Sequence, residues 1–311
     1  MSTVFLTVAP VFGLIALGYI CARTRLLSEA AGKGLGEFVF TIAIPSFLFR
    51  TMLTVEPPAG APIGLWVSYF GAIAATWIAA ALVTRFVLKR PAADGAAIAM
   101  AACFGNIIMM GLPLGLGAIG EGAVTPMALI VSTSSPLLWL AATLHIEWAE
   151  QREGVGWRRR GSEFGLGLLK NFIIMSVLAG SLWRMTGIGL HPVLDKMVMM
   201  LGQAAVPTAL FALGYGLVAF ELKGQAHTLA WMLVLKLVFA PMVAWVLAVH
   251  VFALPPVWAA VVVMFSACPA GANAFLFANR YDRAVGSVSG AVALGTILSA
   301  FTISILLLWL R

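Results

Sequence analysis

The sequence predicts an all-α polytopic membrane protein: ten transmembrane helices in two inverted five-helix repeats, with helices 4 and 9 broken where they cross. Three observations lead there. The 311 residues are 62% hydrophobic and 10% charged, with a mean hydropathy of +1.02, whereas a soluble domain carries roughly 25% charged residues. Apolar runs of about 20 residues, the length that spans a bilayer, can be laid end to end along the chain. Two of those runs, at corresponding places in the two halves, carry glycine, proline and an uncharged amide at membrane depth.

Taken in order, the runs fall near 3–22, 35–54, 63–88, 95–119, 123–145, 165–186, 197–220, 228–252, 255–279 and 284–310. The opening from Met1 to Cys21 has no basic stretch ahead of its apolar run, and more spans follow. It therefore reads as a first transmembrane helix rather than a cleaved leader. The third and last runs are long, which predicts tilt rather than extra spans. The halves divide as 1–145 and 165–311, joined by a linker over 146–164 that contains Trp157-Arg158-Arg159-Arg160. Cys21, Cys103 and Cys268 all lie within apolar runs, so no disulfide framework is expected.

A net charge of +7 raises the question of a nucleic-acid partner, and the distribution of the 19 basic residues answers it. Connections after odd-numbered spans hold most of them, including Arg23, Arg25, Arg85, Lys89, Arg90, Arg158 to Arg160, Arg280 and Arg283. The remaining connections and the termini hold Arg50, Arg184, Lys196 and Arg311. Basic residues mark the cytoplasmic side of a membrane protein. The 146–164 loop is thus expected in the cytoplasm and both termini outside. The partner is the lipid bilayer, and no nucleic acid is expected.

The repeat shows in paired features. Pro45-Ser46-Phe47-Leu48-Phe49 in span two is echoed by Pro207-Thr208-Ala209-Leu210-Phe211 in span seven, 162 residues later. Cys103 corresponds to Cys268 at an offset of 165, and Asn106 to Asn273 at 167. Five spans in each half require the second to insert in the opposite sense, giving a pseudo-twofold axis in the membrane plane. The breaks themselves are Cys103-Phe104-Gly105-Asn106 with Gly111-Leu112-Pro113, and Cys268-Pro269-Ala270-Gly271-Ala272-Asn273. Proline removes a backbone donor and clashes with the preceding turn, and glycine weakens the helix further. Backbone freed in hydrocarbon is tolerated only where protein buries it or a watery cavity meets it. Two interrupted helices at matching places point to a transporter's binding site. Pro113 follows its asparagine by seven residues whereas Pro269 precedes its own by four, so the breaks need not share one geometry.

These two segments, together with Asn273-Ala274-Phe275 and Ala278-Asn279-Arg280-Tyr281, resemble the auxin efflux carrier family, whose bacterial members are assigned to malonate and other organic anions. The resemblance spans the chain. It implies an inverted-repeat fold like that of bile-acid symporters and sodium/proton antiporters, in a bacterial inner membrane. It further implies a scaffold of spans one, two, six and seven, and a moving domain of spans three to five and eight to ten, with elevator-type alternating access. Asn106 and Asn273 match the places where that family contacts a substrate carboxylate. The linker, very long in many plant members, is short here, which argues against regulation through it.

The chemistry points the same way. Half-helix N-termini present unpaired N–H groups and a positive dipole end, which favour an anion. Asparagine adds donors without burying a full charge. Asn106 and Asn273, with backbone amides around 107–111 and 271–274, are the candidate carboxylate site, shaped by Gly105, Pro113, Pro269 and Gly271. From the scaffold side Ser46, Gln203 and Thr208 are candidates to complete it, although hydroxyls in helices often bond back to the preceding turn. Lys236 sits about eight residues into span eight, roughly 12 Å deep at 1.5 Å per residue. It either attracts the anion or snorkels to the interface. All acidic residues lie in connections or at span ends, except that Glu37 could sit modestly inside span two.

Without a carboxylate at the crossing, strong cation coupling is disfavoured. A sodium- or proton-coupled carrier of the same fold stays open, as does pairing into a homodimer. No zinc-protease, serine-hydrolase or paired-acid motif occurs at membrane depth, and the four scattered histidines offer no metal-ligand spacing. The expectation is a non-enzymatic secondary carrier of small organic carboxylate anions, with no cofactor.

Overall fold

Helices build the whole of this computed structural model, which describes residues 2–54, 62–150, 172–220 and 225–309. In chain order they are α1 (Ser2–Arg23), α2 (Glu29–Thr54), α3 (Ile63–Val87), α4 (Ala92–Cys103), α5 (Ile107–Ala118) and α6 (Glu121–Ala149). The second half contributes α7 (Phe172–Met185), α8 (Pro192–Leu217), α9 (Ala226–Val251), α10 (Pro256–Ala267), α11 (Ala272–Tyr281) and α12 (Val285–Trp309). Among the described residues α2, α3, α6, α8, α9 and α12 are long and apolar enough to cross a membrane. No strand forms among them beyond one isolated bridge. The protein is therefore an all-helical, multi-pass membrane protein. Residues 151–171, with most of the expected linker and Arg158 to Arg160, lie outside the described residues.

Local sequence explains where the helices start and bend. The Ser28 hydroxyl accepts from the Ala31 N–H at 3.2 Å and caps α2. Three helices carry a widened turn immediately before a proline: Ile44 donates to Val39, Leu112 to Ile107 and Ala240 to Leu235, each five residues back. The next residues are Pro45, Pro113 and Pro241. A proline ring clashes with the carbonyl four residues earlier, and adding one residue to that turn relieves the clash without ending the helix.

The helices pack in two groups. In one, α1 meets α8 with backbone almost in contact, because a Cβ on Gly214 would overlap the Ile15 carbonyl and one on Gly18 that of Phe211. Small residues at such contacts are how helices associate without a hydrophobic drive between them. In the same group α2 packs on α7, where Gly180 faces Phe49, and on α8, where Gly202 faces Phe47. Arg50 also grips Asp195 with two hydrogen bonds of 2.7 and 3.2 Å. The second group surrounds α4, which is buried from Ala93 to Cys103 and touches α3, α6, α9, α11 and α12. A helix apolar on every side belongs at the centre of a bundle, and its many alanines let neighbours approach. At one end of this group Arg283 donates to Glu150 at 2.6 Å and lies 3.9 Å from Asp94, which pairs with Arg90 at 2.8 Å.

Candidate functional site

The chain breaks between α4 and α5 and between α10 and α11, and the two breaks lie side by side. Gly105 and Ala270 form an antiparallel bridge. The Asn106 N–H donates to the Pro269 carbonyl at 2.7 Å, and the Gly271 N–H to the Phe104 carbonyl at 2.8 Å. Backbone groups that neither helix can satisfy are thus satisfied by the other break, which is the condition for irregular chain in an apolar surrounding. The contact is tight: a Cβ on Gly105 would sit 3.2 Å from both the Phe265 carbonyl and the Lys236 Nζ.

Beside the paired breaks lies a cavity of about 280 Å³ between the two groups of helices. From one group Phe40 of α2 and Ala212, Leu213, Gly216 and Phe220 in and after α8 face it. From the other come Phe104 to Met109, Val131, Ser134 and Ser135 of α6, and Gly271 to Asn273 with Leu276. The Asn106 side chain is only 8% exposed and lines the cavity, and its amide has no hydrogen-bond partner among the described residues. That amide is therefore free to pair with whatever occupies the cavity, water or a guest. α5 and α11 begin at this cavity, and their leading N–H groups have no partner within the helix. The Ser134 hydroxyl donates to the Ile130 carbonyl at 2.5 Å and is hydrogen-bonded to Tyr69 as well.

Lys236 lies behind the break. It is 3% exposed, and its Nζ donates to the Ser266 carbonyl at 3.0 Å and the Cys103 carbonyl at 3.5 Å. These carbonyls stand in the last turns of α10 and α4, where the negative ends of both helix dipoles converge. The ammonium does not snorkel; it points into the protein. The widened turn over Leu235–Phe239 carries it.

Comparison with known proteins identifies the family. A family model described as membrane transport protein matches residues 3–155 and 158–307. The chain belongs to the membrane transport protein family. The resemblance to the auxin efflux carriers holds across its length, and the protein is a transporter rather than an enzyme. Over 316 residues it is 28% identical to a protein of Rhizobium meliloti (strain 1021) named "Putative malonate transporter", covering 98% of this chain and 95% of the relative. A stretch of 45 residues is 38% identical to the lysosomal cholesterol signaling protein of Mus musculus, covering 14% of this chain and 5% of that one.

In this transporter four residues singled out by sequence, Asn106, Asn273, Gly105 and Gly271, meet at the cavity. Pro269 stands directly behind them through its bond to Asn106. The others lie elsewhere. Pro113 lines a separate small void with Ile44, Phe47 and Ala205. Gln203 is exposed and Ser46 half-buried, and neither lines the cavity. Thr208 falls one turn short of Ala212, where the α8 wall of the cavity starts. The hydroxyl residues that line the cavity are Ser134 and Ser135 instead. Sequence reasoning passed over them because α6 is unbroken and nothing local reveals which of its faces meets the breaks.

Proposed function

We propose that this transporter is a secondary carrier of small organic carboxylate anions, with the carboxylate held at the paired breaks by Asn106 and Asn273 and by the N-terminal amides of α5 and α11. The observation that carries the reading is the unpartnered Asn106 amide, on a residue only 8% exposed, facing a cavity into which two helix starts also open. Helix starts and neutral amides favour negative charge over positive, and among the described residues no carboxylate lines the cavity to bind a cation. The malonate named for the bacterial relative is a small carboxylate, in keeping with this choice.

In the same reading the fold is a ten-span inverted repeat of residues 1–145 and 165–311. α1, α2, α7 and α8 serve as the scaffold, and α3 to α6 with α9 to α12 move as an elevator carrying the breaks. The cavity's position between the two groups supports that division. The protein sits in a bacterial inner membrane with both termini outside, and Lys236 contributes a fixed positive charge behind the site. Uptake of labelled carboxylates into proteoliposomes tests the assignment. Asn106→Ala and Asn273→Ala are each expected to abolish uptake while the protein inserts and purifies like wild type. Wild-type rates in both variants would sink it.

A further inference from the structure

We propose that the site accepts one negative charge per cargo molecule, so that monocarboxylates are carried as anions and dicarboxylic acids only with one carboxyl protonated. The inference rests on the reading of the cavity as a carboxylate site and specifies the charge state it takes.

The argument is a charge count around the paired breaks. Four helix ends meet there: α4 and α10 end, α5 and α11 begin. Each end carries about half an elementary charge, negative at a C-terminus and positive at an N-terminus. The two C-terminal ends therefore amount to about one negative charge. Lys236 sits on them, bonded to carbonyls of both, and offsets it. The two N-terminal ends amount to about one positive charge and face the cavity, and no acidic side chain among the described residues lines it to offset them. One carboxylate does so.

A second carboxylate would find no such partner. None of the described residues lining the cavity is ionisable: the walls are glycine, serine, asparagine, phenylalanine, methionine and aliphatic side chains. Among the described residues the titratable groups near the breaks are Lys236 of α9, Cys103 of α4, Cys268 after α10 and Tyr69 of α3, all buried and none of them lining the cavity. Lys236 is the one cation among them, and its ammonium is engaged with the helix ends on the far side of Gly105. An uncompensated carboxylate in such surroundings is protonated rather than buried as an ion. Away from the asparagines, Phe40, Phe104, Leu213, Phe220 and Leu276 offer an apolar surface, which suits a neutral acid or ester group better than a second anion.

Equilibrium binding to the purified protein in nanodiscs tests this with matched pairs: malonate against monomethyl malonate, and succinate against monomethyl succinate. As the pH rises through the second ionisation of each diacid, its affinity is expected to fall about tenfold per pH unit, because only the singly charged form binds. The half-esters keep one charge throughout, and their affinities are expected to stay within about twofold. A titration in the protein would move both members of a pair together, whereas the cargo's own ionisation moves only the diacid. Affinity for malonate or succinate that holds steady or rises as the dianion forms overturns the charge-state inference and leaves the carboxylate site standing. Binding of neither pair to the wild-type protein overturns the carboxylate site itself and this inference with it.

Discussion

Adding one methyl group at Gly105 probes the paired breaks at their tightest point. The backbone there is not in the left-handed region, so alanine introduces no conformational strain and its effect is steric. The new Cβ would lie 3.2 Å from the Phe265 carbonyl oxygen, 3.2 Å from the Lys236 Nζ and 3.4 Å from the Cys268 Cβ. The Cys268 contact is ordinary, but the two at 3.2 Å are tight, so the Phe265 carbonyl and the Lys236 ammonium must each retreat by a few tenths of an ångström. The Phe265 carbonyl cannot swing aside, because it belongs to the helical backbone of α10. Overpacking of this kind costs about 1–3 kcal/mol. The movement passes directly into the 2.7 Å bond between Asn106 and Pro269, and hence into the position of the Asn106 amide. Gly105→Ala is expected to lower the thermal midpoint in detergent by several degrees and to reduce carboxylate uptake by at least about tenfold. Gly34→Ala, where a Cβ meets nothing within 4 Å, is the control and should do neither. Equal stability and uptake in the two variants would refute the close apposition of the breaks.

Other perturbations test other parts of the account. Lys236→Met keeps the volume and removes the charge; carboxylate affinity by equilibrium binding is expected to weaken about tenfold or more, and unchanged affinity would deny Lys236 any electrostatic share in the site. Gly214→Ala would overlap the Ile15 carbonyl and force α1 away from α8, with a loss of stability at or above the upper end of the 1–3 kcal/mol typical of overpacking; a melt indistinguishable from wild type would contradict the backbone contact. A single cysteine at position 156 should label only from the cytoplasmic side, in accord with the basic residues after odd-numbered spans, and labelling from outside intact cells would reverse the orientation.

Much of this was legible in the sequence because the bilayer leaves few solutions. Glycine, proline and asparagine inside an apolar run have little to do in a plain anchor, so Gly105-Asn106 and Gly271 with Asn273 could be marked as a pair before their backbones were seen to touch. What could not be read was rotation. Ser46 and Thr208 are polar residues beside prolines, yet helix phase and the length of the cavity leave them out of it. Ser134 and Ser135 precede Pro136 in a helix that continues through it, and only the packing of α6 turns them inward. Lys236 was identifiable as an ionisable group at depth, but its direction depends on the widened turn before Pro241 and on two helix ends supplied by residues 133 and 30 positions away in sequence. The ion pair of Arg283 with Glu150, 133 residues apart, likewise joins residues that sequence alone places only on the same side of the membrane.

The most direct test of the central claim is charge movement in proteoliposomes on adding malonate, succinate, lactate or indole-3-acetate, with and without sodium. The account predicts a current for at least one of these anions that needs no sodium and disappears in Asn106→Ala. A current that requires sodium, or one that survives in Asn106→Ala, would contradict it.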